Sequence, residues 1–474
     1  MADPAELTAN GVNGRTGEPL FGPVTLDAAA RAVTGRPEDA EETALVENRA
    51  DDRRKEVAGH DPNVDDVSDV SQAGWGIVFN GDPARADEVA AIREQLKPLL
   101  DLRESQAGAI KADLYQEYSA KRGYRTGNSA VGWMGVNRTG PGTAFPKDMP
   151  IHLLVVGSPE EIGFEFQYGL DVQRSVGRIH FDKLEDYGRY ARAVVEWEVR
   201  NATQEARLSL WGPQNPGDTA TALSSKRLIA QLAEELEGHP GWKLEPLVKD
   251  AATKKQLSTL IGGPSPPALL FTASHGIGFK LGDALQESDQ GALLCQDWNG
   301  DKATMGPDKY FAAADLPDSA SLNGRMAFLF ACYGGGTPQE DDFAHRISPT
   351  TSRQIAPKPF VAALPQKLLS NGMLAVAAHV DRAWSYSFQW GRAGTQIRSF
   401  EATLRMLMNG DPIGLAFDHM NDRAGELGFY KTALLEDAVS DPAALAANLG
   451  MWTAANDARN YIVFGDPATR LKTA

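Results

Sequence analysis

Short apolar runs that end in glycine or polar residues recur along the chain: WGIVF from Trp75, IHLLVVG from Ile151, LSLWG from Leu208, ALLFTASHG from Ala268, MAFLFACYG from Met326, MLAVAAHV from Met373 and YIVFG from Tyr461. Unbroken apolar runs of this length read as parallel strands buried on both faces, where neither side of the pleat needs a polar residue. Between them the spacing changes to threes and fours. ARADEVAAIREQLKPLLDLRESQAG, the stretch Glu185 to Glu198, SSKRLIAQLAEELEG, FVAALPQKLLSNG and SFEATLRMLMNG read as amphipathic helices, several closed by a glycine suited to a left-handed cap. Strands alternating with helices predict an α/β fold in three layers, with a mostly parallel sheet between helical faces. No internal repeat, coiled coil or low-complexity tract interrupts the pattern.

Two of the runs end alike. One places His275 and the other Cys332 where the apolar stretch breaks into glycine. Open α/β sheets hold their ligands at the carboxyl ends of parallel strands, so both side chains are predicted on one edge. A free thiol is mostly protonated at neutral pH, and an imidazole beside it can take that proton and later give one to a leaving group. Cys332 is then a nucleophile and His275 its base and acid. Gly276 and the run Gly334, Gly335 and Gly336 let backbone amides turn toward an oxyanion, with the amides of Gly276 and Cys332 as the predicted hole. His379 also ends an apolar strand and competes with His275.

The HG after one strand and the AC followed by a glycine-rich turn after another resemble the caspase-like cysteine peptidases, and among them the gingipain family. VGRIHFDKLEDYGRYARAVVEWE from Val176, GMLAVAAHVDRAWSYS from Gly372, GDPIGLAFDHM from Gly410 and YIVFGDPATRL from Tyr461 extend the resemblance over most of residues 151–474. The resemblance implies a protease with a His and Cys dyad on an α/β/α sandwich of two subdomains. It also implies that Trp384 walls a specificity pocket, and that Asp218 or Asp381 lines the pocket and binds an Arg or Lys before the scissile bond through charge-assisted hydrogen bonds. The domain boundaries predicted are an N-terminal extension over 1–70, an N-terminal α/β subdomain over 71–200 and a catalytic subdomain over 201–474.

Composition narrows the setting. The 63 acidic against 47 basic residues leave a formal charge of −16, which repels nucleic acid and anionic membranes. No window reaches the length of a membrane-spanning run, and the start MADPAELTANGVNG lacks a basic segment followed by an apolar one. Two cysteines, Cys295 and Cys332, do not make a disulfide framework and suit a reducing compartment. The expectation is a cytoplasmic, bacterial enzyme that needs no cofactor or metal, with Cys295 a core thiol.

Two segments invite regulation. The acidic stretch from Arg36 to Val70 is poor in aromatics and reads as surface loop or regulatory segment. The polar stretch from Thr337 to Pro359, directly after Cys332, is long for an internal connection and carries Arg346 and Arg353 as basic sites for self-processing. Control by a protein partner, by that loop or by the N-terminal segment is therefore expected. Two alternatives stay open: a catalytically silent scaffold that binds a partner, and an acyl hydrolase for small molecules, which would have a closed apolar pocket instead of a groove for extended peptide.

Overall fold

The computed structural model describes residues 6–7, 9–20, 24–25, 64–200, 203–341, 354–390, 394–440 and 449–474. Arg346 and Arg353, with most of the stretch that follows the nucleophile and most of the acidic stretch, lie outside the described residues.

A ten-stranded sheet organises the molecule. In chain order its strands are β1 (Trp75–Val78), β2 (Tyr115–Tyr118), β3 (His152–Val156), β4 (Ser175–Ile179), β5 (Arg207–Gly212), β6 (Lys243–Val248), β7 (Leu269–Ala273), β8 (Met326–Phe330), β9 (Ala375–His379) and β10 (Tyr461–Gly465). Their spatial order is β6-β5-β7-β8-β9-β10-β4-β3-β1-β2. Neighbours run parallel except at β9 and β10, where the direction reverses. The sheet is thus two parallel halves joined back to back by the chain's last strand.

Every residue of β3, β4, β7, β8, β9 and β10 is buried. Because successive side chains point to opposite faces, burial throughout requires cover on both, and the helices supply it. Among them are α1 (Ala86–Ala107), α2 (Leu184–Val199), α3 (Thr219–Leu223, continued by a π-helical stretch Ser224–Ile229 and by Ala230–Leu236), α4 (Ala363–Ser370) and α5 (Arg398–Asn409). Gly410 closes α5 in the left-handed conformation at φ 86°. The three-layer α/β architecture agrees with the prediction. Among the described residues, no helix is long and apolar enough to cross a membrane.

Three strands escaped the hydrophobic pattern: the edge strands β2 and β6 because they are half-exposed, β6 carrying Pro246, tolerated where one side of the strand faces solvent, and the buried β4 because Arg178 interrupts its short run. Two of the sequence motifs have structural work. Arg178 of the VGR segment is fully buried, donating to Gln167 Oε1 at 3.0 Å and to the Gly157 and Gly163 carbonyls at 3.1 Å, so it ties the loop after β3 to β4. Asp466 of the GDP segment, also fully buried, accepts from Trp75 Nε1 at 3.0 Å, Arg103 Nε at 2.8 Å and the Ala468 amide at 3.0 Å. That carboxylate fastens the end of β10 to β1 and α1.

Candidate active site

The strands β7 and β8 are adjacent and parallel, with Leu269 opposite Met326 and Ala273 opposite Phe330. His275 and Cys332 each lie two residues past the last of these pairs, so the register delivers both to the same carboxyl edge. Their segments touch. A Cβ built on Gly276 would fall 1.7 Å from the Cys332 carbonyl oxygen and 2.9 Å from its nitrogen, an approach that only glycine permits.

Asp218 precedes α3 on the loop leaving β5, the strand on the other side of β7. Its carboxylate lies 3.0 Å from His275 Nε2 and accepts from the Thr221 amide at 2.8 Å, capping α3. The carboxylate holds the proton on Nε2 and leaves Nδ1, which is buried and has no hydrogen-bond partner, as the basic nitrogen. Burial alone would raise the Asp218 carboxyl, but His275 and the Thr221 bonds outweigh it and hold the group well below the usual carboxylate range. Sequence reasoning assigned Asp218 to the specificity pocket; in the structure its carboxylate is committed to the imidazole and the helix cap.

Cys332 is fully buried, and its Sγ accepts from the Ala383 amide at 3.2 Å. Burial pushes the thiol well above its ordinary pKa, against the opposing pull of that amide and of Arg382. The next residue, Tyr333, takes φ 57°, a left-handed conformation uncommon outside glycine, and so turns the chain sharply after the sulfur. The glycine run serves this turn and not an oxyanion: the amides of Tyr333, Gly334 and Gly335 donate to the carbonyls of Asp381 (2.8 Å), Ala331 (3.2 Å) and His379 (2.8 Å). The Gly276 carbonyl faces the opposite way from the bonds that His275 and Ile277 make to Leu294 and Ala292, because extended residues alternate.

Beyond Cys332 the chain end of β9 forms a second wall. Asp381 accepts from the Arg382 amide at 2.7 Å, and Arg382 is ion-paired with buried Asp341. Asp381, Trp384, Trp452 and Asp457 line a small cleft there. The Trp384 amide donates to Asp457 at 2.7 Å. His379, the competitor to His275, is buried with Nδ1 2.8 Å from the Asp381 carbonyl and Nε2 3.0 Å from the Asp457 carbonyl, a core histidine with both nitrogens engaged. Cys295 is likewise a core thiol, 3.4 Å from the Leu293 carbonyl. Among the described residues, no three His, Cys, Asp or Glu side chains gather to hold a metal ion.

Between the two walls lies a strand from the N-terminal segment, which sequence reasoning did not place. Ala9–Asn10 pairs antiparallel with Ala383–Trp384, and Val12–Asn13 pairs parallel with Ile277–Gly278, two residues past His275. Gly11, between the pairs, lies on the nucleophile: its Cβ, were there one, would sit 3.3 Å from Cys332 Sγ.

No family model and no curated protein sequence matches the chain. Solved structures do. The chain is similar to the Arg-specific cysteine proteinase gingipain R, at 13% identity and TM-score 0.47 over 85% of this chain and 79% of that one. A complex of the pro- and mature domains of Porphyromonas gingivalis RgpB matches at 13% identity and TM-score 0.44, over 84% of this chain and 80% of that one. The Saccharomyces cerevisiae separase–securin complex matches at 10% identity and TM-score 0.34, where 95% of this chain aligns to 27% of the other. Roles for residues of this chain rest on its own geometry.

Proposed function

We propose that the protein is a cysteine endopeptidase in which Cys332 is the nucleophile, His275 the general base and acid, and Asp218 the group that orients the imidazole. The observation that carries this reading is the in-register placement of His275 and Cys332 past adjacent parallel strands, with a carboxylate on Nε2 and an unpartnered Nδ1 beside the thiol's segment. Nδ1 takes the thiol proton as sulfur attacks the scissile carbonyl. The oxyanion is received by the amides of Gly276 and Cys332, and the imidazolium returns its proton to the leaving amine. Water, deprotonated by the same nitrogen, then releases the acyl group.

An extended peptide is the substrate shape that the walls favour. Both present backbone to a strand laid between them, and the segment 9–13 pairs with both. A small-molecule acyl hydrolase would call for a closed apolar pocket over the thiol. For the residue before the cut, Asp381 and Trp384 stand on the wall of a small cleft that Arg382 also lines, and Asp381 is the carboxylate assigned to an Arg or Lys side chain. Asp218 is reassigned from that pocket to the imidazole. Self-processing at Arg346 or Arg353 remains part of the proposal, read by intact mass of the purified wild type against Cys332→Ala.

The test is turnover of a fluorogenic peptide library by wild type, Cys332→Ala and His275→Ala, each shown to be folded. Hydrolysis that vanishes in both variants and peaks with Arg or Lys before the cut supports the reading. Hydrolysis that is equal in all three removes Cys332 and His275 from the chemistry, and none by a folded chain whose Cys332 does react with a peptide alkylating probe replaces the peptidase with the scaffold.

A further inference from the structure

We infer that residues 9–20 are a built-in occupant of the catalytic groove, a substrate-shaped strand that keeps Cys332 covered until it is displaced. The inference rests on the reading of Cys332 as nucleophile and adds how that site is controlled. The strand makes pairings on both walls, antiparallel at Ala383–Trp384 and parallel at Ile277–Gly278, and glycine is the residue it sets on the sulfur. Main-chain pairing of this kind is how an extended peptide gains affinity, with side chains left to choose the register.

The occupant is anchored from beyond the groove. Val12 is buried in a small apolar cluster with Ile277, Phe279, Leu294 and Trp298, and its amide donates to the Gly276 carbonyl at 3.3 Å. Past it the chain folds back: the Asn13 side chain accepts from the Arg15 and Thr16 amides at 2.8 and 3.0 Å, and the Asn13 amide donates to the Glu18 carbonyl at 2.8 Å. Arg15 Nε and Nη2 grip the Asp283 carboxylate at 3.0 and 2.9 Å. Leu20 then returns to cover Gly278, whose Cβ would lie 2.2 Å from Leu20 Cδ1.

The same hairpin explains why the occupant survives. The Gly11 carbonyl accepts the Leu20 amide at 2.9 Å, so its oxygen is held by the hairpin and not delivered to the amides of Gly276 and Cys332. Without an oxyanion partner, attack on that carbonyl lacks its main stabilisation. The cover also accounts for the buried, protonated state of the thiol: water admitted to the groove lowers the cost of the thiolate.

Gly11→Val tests the inference in the full chain, because a side chain there would meet Leu20 Cδ1 at 2.9 Å and Cys332 Sγ at 3.3 Å while the sheet is left untouched. Arg15→Ala removes an anchor outside the groove. Each variant is melted to confirm folding, then assayed for iodoacetamide modification of Cys332, located by mass spectrometry, and for peptide hydrolysis. The expected result is a rise in alkylation rate of about tenfold or more for Gly11→Val and a smaller rise for Arg15→Ala, as the uncovered fraction grows. A synthetic peptide of residues 6–20 added to Gly11→Val should slow alkylation again. Faster alkylation without any peptide hydrolysis keeps the cover and sinks the peptidase. Folded variants whose alkylation and hydrolysis match wild type overturn the cover, whatever becomes of the peptidase. So does a wild-type chain cut between residues 10 and 12 that stays whole in Cys332→Ala, since the segment is then substrate.

Discussion

The Asp218 carboxylate serves His275 and the first turn of α3 at once, lying 3.0 Å from the imidazole Nε2 and 2.8 Å from the Thr221 amide. The two duties are separable. Asparagine caps a helix about as well as aspartate, so Asp218→Asn is expected to keep the α3 cap while losing the charge that orients the imidazole and steadies it when protonated. Turnover should fall by about four orders of magnitude, the cost of stripping a triad of its carboxylate. Asp218→Ala loses the cap as well, and about 1 kcal/mol of stability with it. Kinetics and thermal melts on the two variants read the difference.

Because its folded pKa lies below the unfolded value, the Asp218 carboxyl contributes stability that is present above about pH 4 and lost as pH falls through the depressed folded value. The gap in stability between wild type and Asp218→Ala should therefore be widest near neutrality and narrow below about pH 4, as urea midpoints measured across that range would show. A gap that widens in acid contradicts the assignment.

Gly276→Ala places a methyl group 1.7 Å from the Cys332 carbonyl oxygen, where no rotamer can relieve it. A loss of about 3 kcal/mol or more is expected, at the upper end of overpacking, together with abolished Cys332-dependent turnover.

The buried pair Asp341 and Arg382 sits between the nucleophile turn and the cleft wall. Asp341→Ala takes away one of the two carboxylates that face the buried Arg382 guanidinium, Asp381 being the other, and should cost about 3 kcal/mol in chemical denaturation, the lower end for breaking a buried ion pair. A cost below about 1 kcal/mol would mean that water reaches Arg382.

Asp466→Ala strips Trp75, Arg103 and the Ala468 amide of one acceptor. Arg103 keeps Glu198, at 2.9 Å from Nη1, so the expected loss is about 3 kcal/mol, the lower end for breaking a buried ion pair. Any Cys332-dependent turnover at low temperature should survive, since β10 runs antiparallel to β9 and ends beside Ala375 and Met326, at the edge of the sheet opposite Cys332.

The sequence by itself determined the central strands other than β4, whose short run is interrupted by Arg178, and the two residues at the ends of β7 and β8. An apolar run that must be buried on both faces leaves little choice of structure, and the glycine that ends it marks where the chain can turn, so His275 and Cys332 could be placed at matching strand ends from local pattern alone. Local pattern could not show β2 and β6, whose polar residues answer to solvent at a sheet edge, nor the reversal at β9 and β10, which depends on where the last strand inserts. Only the tertiary structure decided what Asp218 does: it stands 57 positions before His275, and nothing in PGDTA distinguishes a helix cap from a pocket acid until β5 and β7 are neighbours. The same holds for the start of the chain. ANGVNGRTGEPL has no apolar period of its own, and it becomes a strand because the walls beside His275 and Cys332 offer it unpaired backbone, an interaction set by long-range contact that composition does not record.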